Sequence, residues 1–197
     1  SEPVESKLLR ARTRTVEAVQ IINDILNISK LKLLNKITKS QVSMKELLNK
    51  IITQKLSTAE AKNIEIKYED INFEDVTISA DVALLELAFS NILGNSLKYT
   101  GKGGRIEIDV NKSDNETIKI SVSDNGIGIP EKDRAKIFTD FFRASNAKSK
   151  GFEGTGLGLN IVKQIIEQHN GELYFDSPSG IGNEKNPGTA FIITLPL

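Results

Sequence analysis

Three groups of residues in this chain have the types and spacing to do chemistry together. The first is Asp124-Asn-Gly-Ile-Gly-Ile-Pro130, a carboxylate followed by glycines at 126 and 128. Glycines let a ligand approach bare backbone, and the carboxylate can accept a hydrogen bond from an exocyclic amine of the kind adenine carries. The second is Asn91, Asn95 and Lys98, spaced i, i+4 and i+7, which share one face of a helix. An Asn carbonyl is a hard oxygen ligand suited to Mg²⁺, and a Lys ammonium is a point charge for phosphate. The third is Gly154, Gly156 and Gly158, which precede and open a helical stretch. Free N–H groups and the helix dipole favour an anion there. Each group alone is weak, since a D-x-G-x-G run also reads as an ordinary turn leaving a strand.

The elements that must hold these residues follow from periodicity. Thr117–Ser123 alternates, with Ile118, Ile120 and Val122 on one face, and so delivers Asp124 at a strand end. Asp81 caps a helix through Tyr99, whose Leu85, Phe89, Ile92 and Leu93 point to a core while the polar trio lies on another side. Gly156 to Gln168 reads as a helix with Leu159, Val162 and Ile166 inward. Around these lie a strand over 37–42, a helix from the Ser43/Glu46 capping box to about Ala61, and strands at 64–68 and 76–79. A hairpin of 104–110 and 116–123 turns at Ser113-Asp-Asn115, a short helix covers 131–138, and strands at 171–175 and 190–195 finish the chain. Ser145 to Gly154, polar and with few apolar anchors, predicts a mobile loop. The expected class is α+β, a two-layer α/β sandwich with helices on one face of a largely antiparallel sheet.

Residues 3–34 predict one long helix, with Ala18, Ile21, Ile22, Ile25 and Ile28 as an apolar stripe. That helix needs a partner helix to bury the stripe. With 197 residues there is room for one good-sized domain plus such an appendage. Lys+Arg and Asp+Glu both number 26, which argues against a broad nucleic-acid footprint. No long apolar run predicts a membrane span. The absence of cysteine removes disulfides and thiolate metal sites and fits a reducing compartment. His169, the only histidine, sits at a helix end before Gly171 and reads as a cation-friendly C-terminal cap.

Asn91-Ile-Leu-Gly-Asn-Ser-Leu-Lys-Tyr-Thr100, Asp124–Pro130, Gly154-Thr-Gly-Leu-Gly-Leu159 and Pro187-Gly-Thr-Ala190 follow one another at a telling spacing. They resemble the N, G1, G2 and G3 boxes of the histidine-kinase ATP-binding domain. That domain belongs to the superfamily shared with DNA gyrase B, the mismatch-repair ATPases and the large ATP-dependent heat-shock chaperone. The resemblance implies a Bergerat-type ATP-binding fold over 43–197. Over 1–42 it is weaker and implies the second helix of a dimerisation domain plus linker, without the first helix that carries the acceptor histidine. It implies Asn91, Asn95, Lys98 and Arg143 as the catalytic set, with Asn91 and Asn95 holding Mg²⁺. ATP would be bound by Tyr99, Asp124, Gly126, Gly128, Ile129, Phe138, Gly154, Thr155, Gly156, Leu157, Gly158 and Thr189.

Ile137-Phe-Thr-Asp-Phe-Phe-Arg143 resembles the F box beside the ATP lid, with Thr139-Asp140 departing from its commoner residues. The implied activity is transfer of the ATP γ-phosphate to a histidine and onward to a response-regulator Asp, in a homodimer. Cytoplasmic placement is implied, and an inner-membrane anchor in a full-length protein stays open. The hydrolysing relatives carry a Glu where this chain has Asn91, and Asn cannot serve as a base for water at neutral pH. That favours phosphotransfer over a gyrase-like or chaperone-like ATPase. The long helix argues against an anti-sigma-factor type of serine kinase.

Overall fold

The computed structural model describes residues 4–33, 37–68, 76–113 and 116–197. The elements run α1 (Val4–Leu33), β1 (Ser40–Ser43), α2 (Met44–Ala61), β2 (Glu65–Tyr68), β3 (Thr77–Ala80) and α3 (Val82–Tyr99). They continue with β4 (Arg105–Ser113), β5 (Thr117–Asp124), α4 (Glu131–Arg134), α5 (Ser145–Ser149), α6 (Gly158–Gln168), β6 (Glu172–Asp176) and β7 (Thr189–Pro196). The five-stranded sheet has the order β2-β4-β5-β7-β6, parallel only between β2 and β4, and β1 pairs with β3 apart from it. The expected β4–β5 hairpin is present; its tip at Asp114 and Asn115 lies outside the described residues.

The alternation that defines β5 also places the acid. Ile118, Ile120 and Val122 are buried, opposite Leu195, Ile193 and Phe191 of β7. Asp124 is the next residue on that face, facing Ile106 on one side and Thr189 on the other, and is only 3% exposed. Lys119 on the other face is exposed, as expected of an antiparallel sheet packed on one side. The covering layer is α2, α3 and α6, with Leu85, Phe89, Ile92 and Leu93 of α3 buried, and Ile161, Val162, Ile165 and Ile166 of α6. Helix starts obey their caps: Ser43 Oγ accepts from Glu46 N at 3.1 Å, and Asp81 Oδ1 accepts from Ala83 N and Leu84 N.

Three local expectations need correction. The short helix expected over 131–138 stops at Arg134, because the chain continues through i→i+3 bonds, Lys136 N to Asp133 O and Thr139 N to Lys136 O. The stretch expected as a polar loop instead holds a helical turn, Ser145–Ser149, with Ala147 buried. Asn146 Nδ2 donates to Ile127 O and Gly128 O, and Phe152 meets Tyr99 edge-on at 5.2 Å between ring centroids. One alanine, one amide and one aromatic thus make contacts in a segment whose composition offers few apolar anchors.

The third correction is His169. It does cap α6, but as a neutral ring, 2% exposed and pushed below the usual histidine pKa of 6.5 by burial. Nδ1 faces Ile165 O at 2.7 Å and Nε2 accepts from Asp81 N at 3.0 Å, so the imidazole ties the end of α6 to the start of α3. His169→Ala orphans the Asp81 N–H and is expected to destabilise by about 1–3 kcal/mol or more in denaturant unfolding. The contribution has a pH sign. Because the folded value is depressed, it is fully present above 6.5 and is lost as pH falls below 6.5 through the folded value. Wild-type-like stability of the variant would contradict this role.

Helix α1 meets the domain at α6 and at Thr155. Leu31 is buried and Gln168 Nε2 donates to Leu31 O at 2.9 Å. Of the predicted stripe, Ile28 packs on the core, whereas Ile21, Ile22 and Ile25 remain exposed, Ile22 by 57%. Among the described residues no helix is long and apolar enough to cross a membrane.

Candidate nucleotide site

A cavity of about 510 Å³ opens between α3, the turn after β5, the segment 142–158, the start of β7 and α1. Two clusters of side chains line it. Around Asp124 the backbone closes tightly: Gly126 N donates to Asp124 Oδ1 at 2.9 Å and Thr189 N to the same oxygen at 3.2 Å. Burial raises the Asp124 pKa to about 6 from 3.8, partly offset by those two N–H donors. Glycine is required on both sides. A Cβ at Gly126 would lie 2.6 Å from Tyr99 O, and one at Gly188, where φ is +72°, would lie 1.9 Å from Asp124 O.

The second cluster comes from α3 and the glycine-rich segment. Asn91 Nδ2 donates to Leu87 O at 2.9 Å, which leaves Oδ1 turned toward Gly158; a Cβ there would lie 3.1 Å from it. Lys98 Nζ would lie 2.5 Å from a Cβ at Gly154, so the ammonium rests on that glycine. Burial, then the neighbouring Arg143 guanidinium, lowers the Lys98 pKa, and Glu153 opposes the shift. Two cations held close in a partly dry pocket, beside an oxygen donor, form a setting for phosphates and a hard cation. The carbonyl oxygen freed at Asn91 fits Mg²⁺ chemically.

Of the predicted site residues, Asn91, Asn95, Lys98, Tyr99, Asp124, Gly128, Ile129, Arg143, Gly154, Thr155, Gly156, Gly158 and Thr189 line this one cavity. Three stand behind it. Gly126 serves Asp124 through its N–H, Leu157 is buried at the start of α6, and Phe138 packs edge-on against Phe175.

Other residues had no signal in the sequence. Gln20, Asp24 and Asn27 of α1 also line the cavity, and Asp24, 4% exposed, accepts from Thr155 Oγ1 at 2.6 Å and from Gln20 Nε2 at 2.8 Å. Thr155 and Asp24 are 131 positions apart, beyond any local pattern. Asn146 lines the cavity from α5.

Residues 80–197 match the model of the histidine kinase-, DNA gyrase B-, and HSP90-like ATPase family, and the chain belongs to that family. It is similar to the sensor histidine kinase WalK of Bacillus subtilis, 32% identical over 192 residues, covering 96% of this chain and 30% of WalK. It thus spans about a third of the length of its curated relatives. Among solved structures it is similar to the mycobacterial sensor histidine kinase MprB, with 30% identity and a TM-score of 0.69 over 80% of this chain and 97% of that one. It shares the fold of histidine kinase ThkA, solved in complex with response regulator protein TrrA, at 24% identity and a TM-score of 0.74 over 100% of this chain and 52% of that one.

Proposed function

We propose that this chain is the ATP-binding catalytic portion of a two-component sensor histidine kinase. It passes the γ-phosphate of ATP to a histidine on a dimerisation helix, for onward transfer to a response-regulator Asp. The observation that carries the reading is one cavity holding a buried carboxylate, Asp124, together with Asn91, Asn95, Lys98 and Arg143. Asp124 accepts the adenine amine, with Gly128, Ile129 and Thr189 flanking the base and Tyr99 beside it. Lys98 and Arg143 hold the phosphates, and Thr155, Gly156 and Gly158 offer backbone at the start of α6. The carbonyl oxygens of Asn91 and Asn95 would hold Mg²⁺, which when bound offsets charge on the phosphates.

Asn91 takes no proton from water near neutral pH, so the site orients ATP for an incoming imidazole rather than for hydrolysis. His169 is not that imidazole, since it is buried with both ring nitrogens engaged. Residues 1–42 serve as a dimerisation helix and linker, and 43–197 as the catalytic domain. The exposed Ile21, Ile22 and Ile25 support pairing of α1 with other helices in a homodimer, and family likeness supports a receiver domain as the phosphate's destination. The test is γ-labelled ATP with a separate dimeric domain bearing an acceptor-histidine helix. Acid-labile label on that histidine is expected; its absence under conditions where ATP binds counts against the kinase reading.

The raised Asp124 pKa gives a pH signature. Only the carboxylate accepts freely from the adenine amine, so ATP affinity should fall as pH drops through about 6. By pH 5 the loss should be about tenfold relative to pH 7. Calorimetric titration across pH 5–8 measures it, and Asp124→Asn should flatten the profile. A pH-independent wild type would contradict the assignment.

A further inference from the structure

Ser177 follows β6 and is buried outside the cavity wall. Its hydroxyl does two things at once: Oγ accepts from Ile129 N at 2.9 Å and donates to Gly188 O at 2.8 Å. Ile129 belongs to the turn after Asp124, and Gly188 immediately precedes Thr189, the other backbone donor to Asp124. Gly188 N in turn donates to Gly126 O at 2.9 Å. The Arg134 guanidinium donates to Ser177 O and to Ile129 O, fixing the backbone on either side of the same hydroxyl. Packing leaves little slack, because a Cβ at Gly128 would come within 3.0 Å of Ser177 Oγ and 2.6 Å of Pro187 Cγ.

We infer that Ser177 is a positioning residue for base selection. It sets the spacing between the two loops whose N–H groups orient the Asp124 carboxylate, without touching the nucleotide itself. The role needs a group that accepts and donates together over a short reach. A hydroxyl does both, a methyl does neither, and a thiol does both weakly. The inference rests on the adenine reading of Asp124.

Ser177→Ala leaves the Ile129 N–H and the Gly188 carbonyl unpaired, which lets the loops part and Asp124 turn. ATP affinity should then fall about tenfold, with a smaller change for GTP, so that the ATP-to-GTP preference shrinks. In phosphotransfer assays the change should appear in KM for ATP, with kcat at saturation largely kept. Ser177→Thr, which retains the hydroxyl, should restore most of the preference. If Ser177→Ala does not fold, Ser177→Cys carries the same expectation.

Calorimetry with Mg·ATP and Mg·GTP on the four proteins, Asp124→Asn being the fourth, decides the matter. Ser177→Ala with unchanged preference, or with equal losses for both nucleotides, overturns the inference while Asp124→Asn still loses selectivity. Asp124→Asn keeping full selectivity overturns instead the adenine reading beneath it.

Discussion

Asp124→Asn should weaken Mg·ATP binding by about tenfold or more, or ~1.5 kcal/mol, the scale of a hydrogen bond to a charged group. The substitution preserves size, so the effect isolates chemistry. Asp124 Oδ1 already receives two backbone N–H groups, from Gly126 and Thr189. An asparagine there has one acceptor and one donor end. If its oxygen keeps the two backbone bonds, its NH₂ faces the adenine amine and repels it. If the amide flips, its NH₂ meets two N–H donors instead. Guanine presents a carbonyl where adenine has its amine, so GTP should lose less than ATP, or gain.

Stability separates this from a general defect. The folded pKa of Asp124 is raised to about 6 from 3.8, so holding this buried group charged costs stability in full above pH 6, and the cost is relieved progressively as pH falls from 6 to 3.8. At pH 8 the Asn variant should therefore melt no lower than wild type. An affinity loss matched by a lower melting temperature would argue against base recognition.

The second large effect is expected at Asn95. Asn95→Ala should reduce phosphotransfer to an acceptor histidine by about 10²-fold or more, because a Mg²⁺ held by Asn95 would supply several kcal/mol of charge stabilisation to the phosphates. Activity alone would not identify the cause, so the sharper measurement is the Mg²⁺ dependence of ATP binding. Wild type should bind ATP more tightly with Mg²⁺ than with EDTA, and Asn95→Ala should lose that difference while keeping its affinity in EDTA. Asn91→Ala should behave alike, since the Asn91 amide nitrogen is spent on Leu87 O and its oxygen is the end left for a ligand. Retention of the Mg²⁺ enhancement in both variants would remove the two asparagines from the metal site.

Much of this site is legible along the chain because its parts are local. The period-2 run of β5 carries Asp124 onto the buried face after Val122, and the helical spacing of Asn91, Asn95 and Lys98 survives in α3 as one wall of the cavity. What could not be read depends on contacts between distant segments. The Asp24–Thr155 bond and the Ser177 bridge join elements with no common periodicity. His169 looks like an ordinary helix cap until Asp81, 88 positions away, is seen to donate to it. The helical turn at 145–149 is not legible because composition counts anchors without showing that Ala147, Asn146 and Phe152 each find a site.

The most direct test is calorimetric titration of the unmodified chain with Mg·ATP and Mg·GTP under identical conditions near pH 7.5. Specific one-to-one binding of ATP, with GTP at least about tenfold weaker, is the expected result, that ratio matching one hydrogen bond to a charged acceptor. Equal affinities for the two nucleotides, or no ATP binding by folded protein, would contradict the assignment of this cavity.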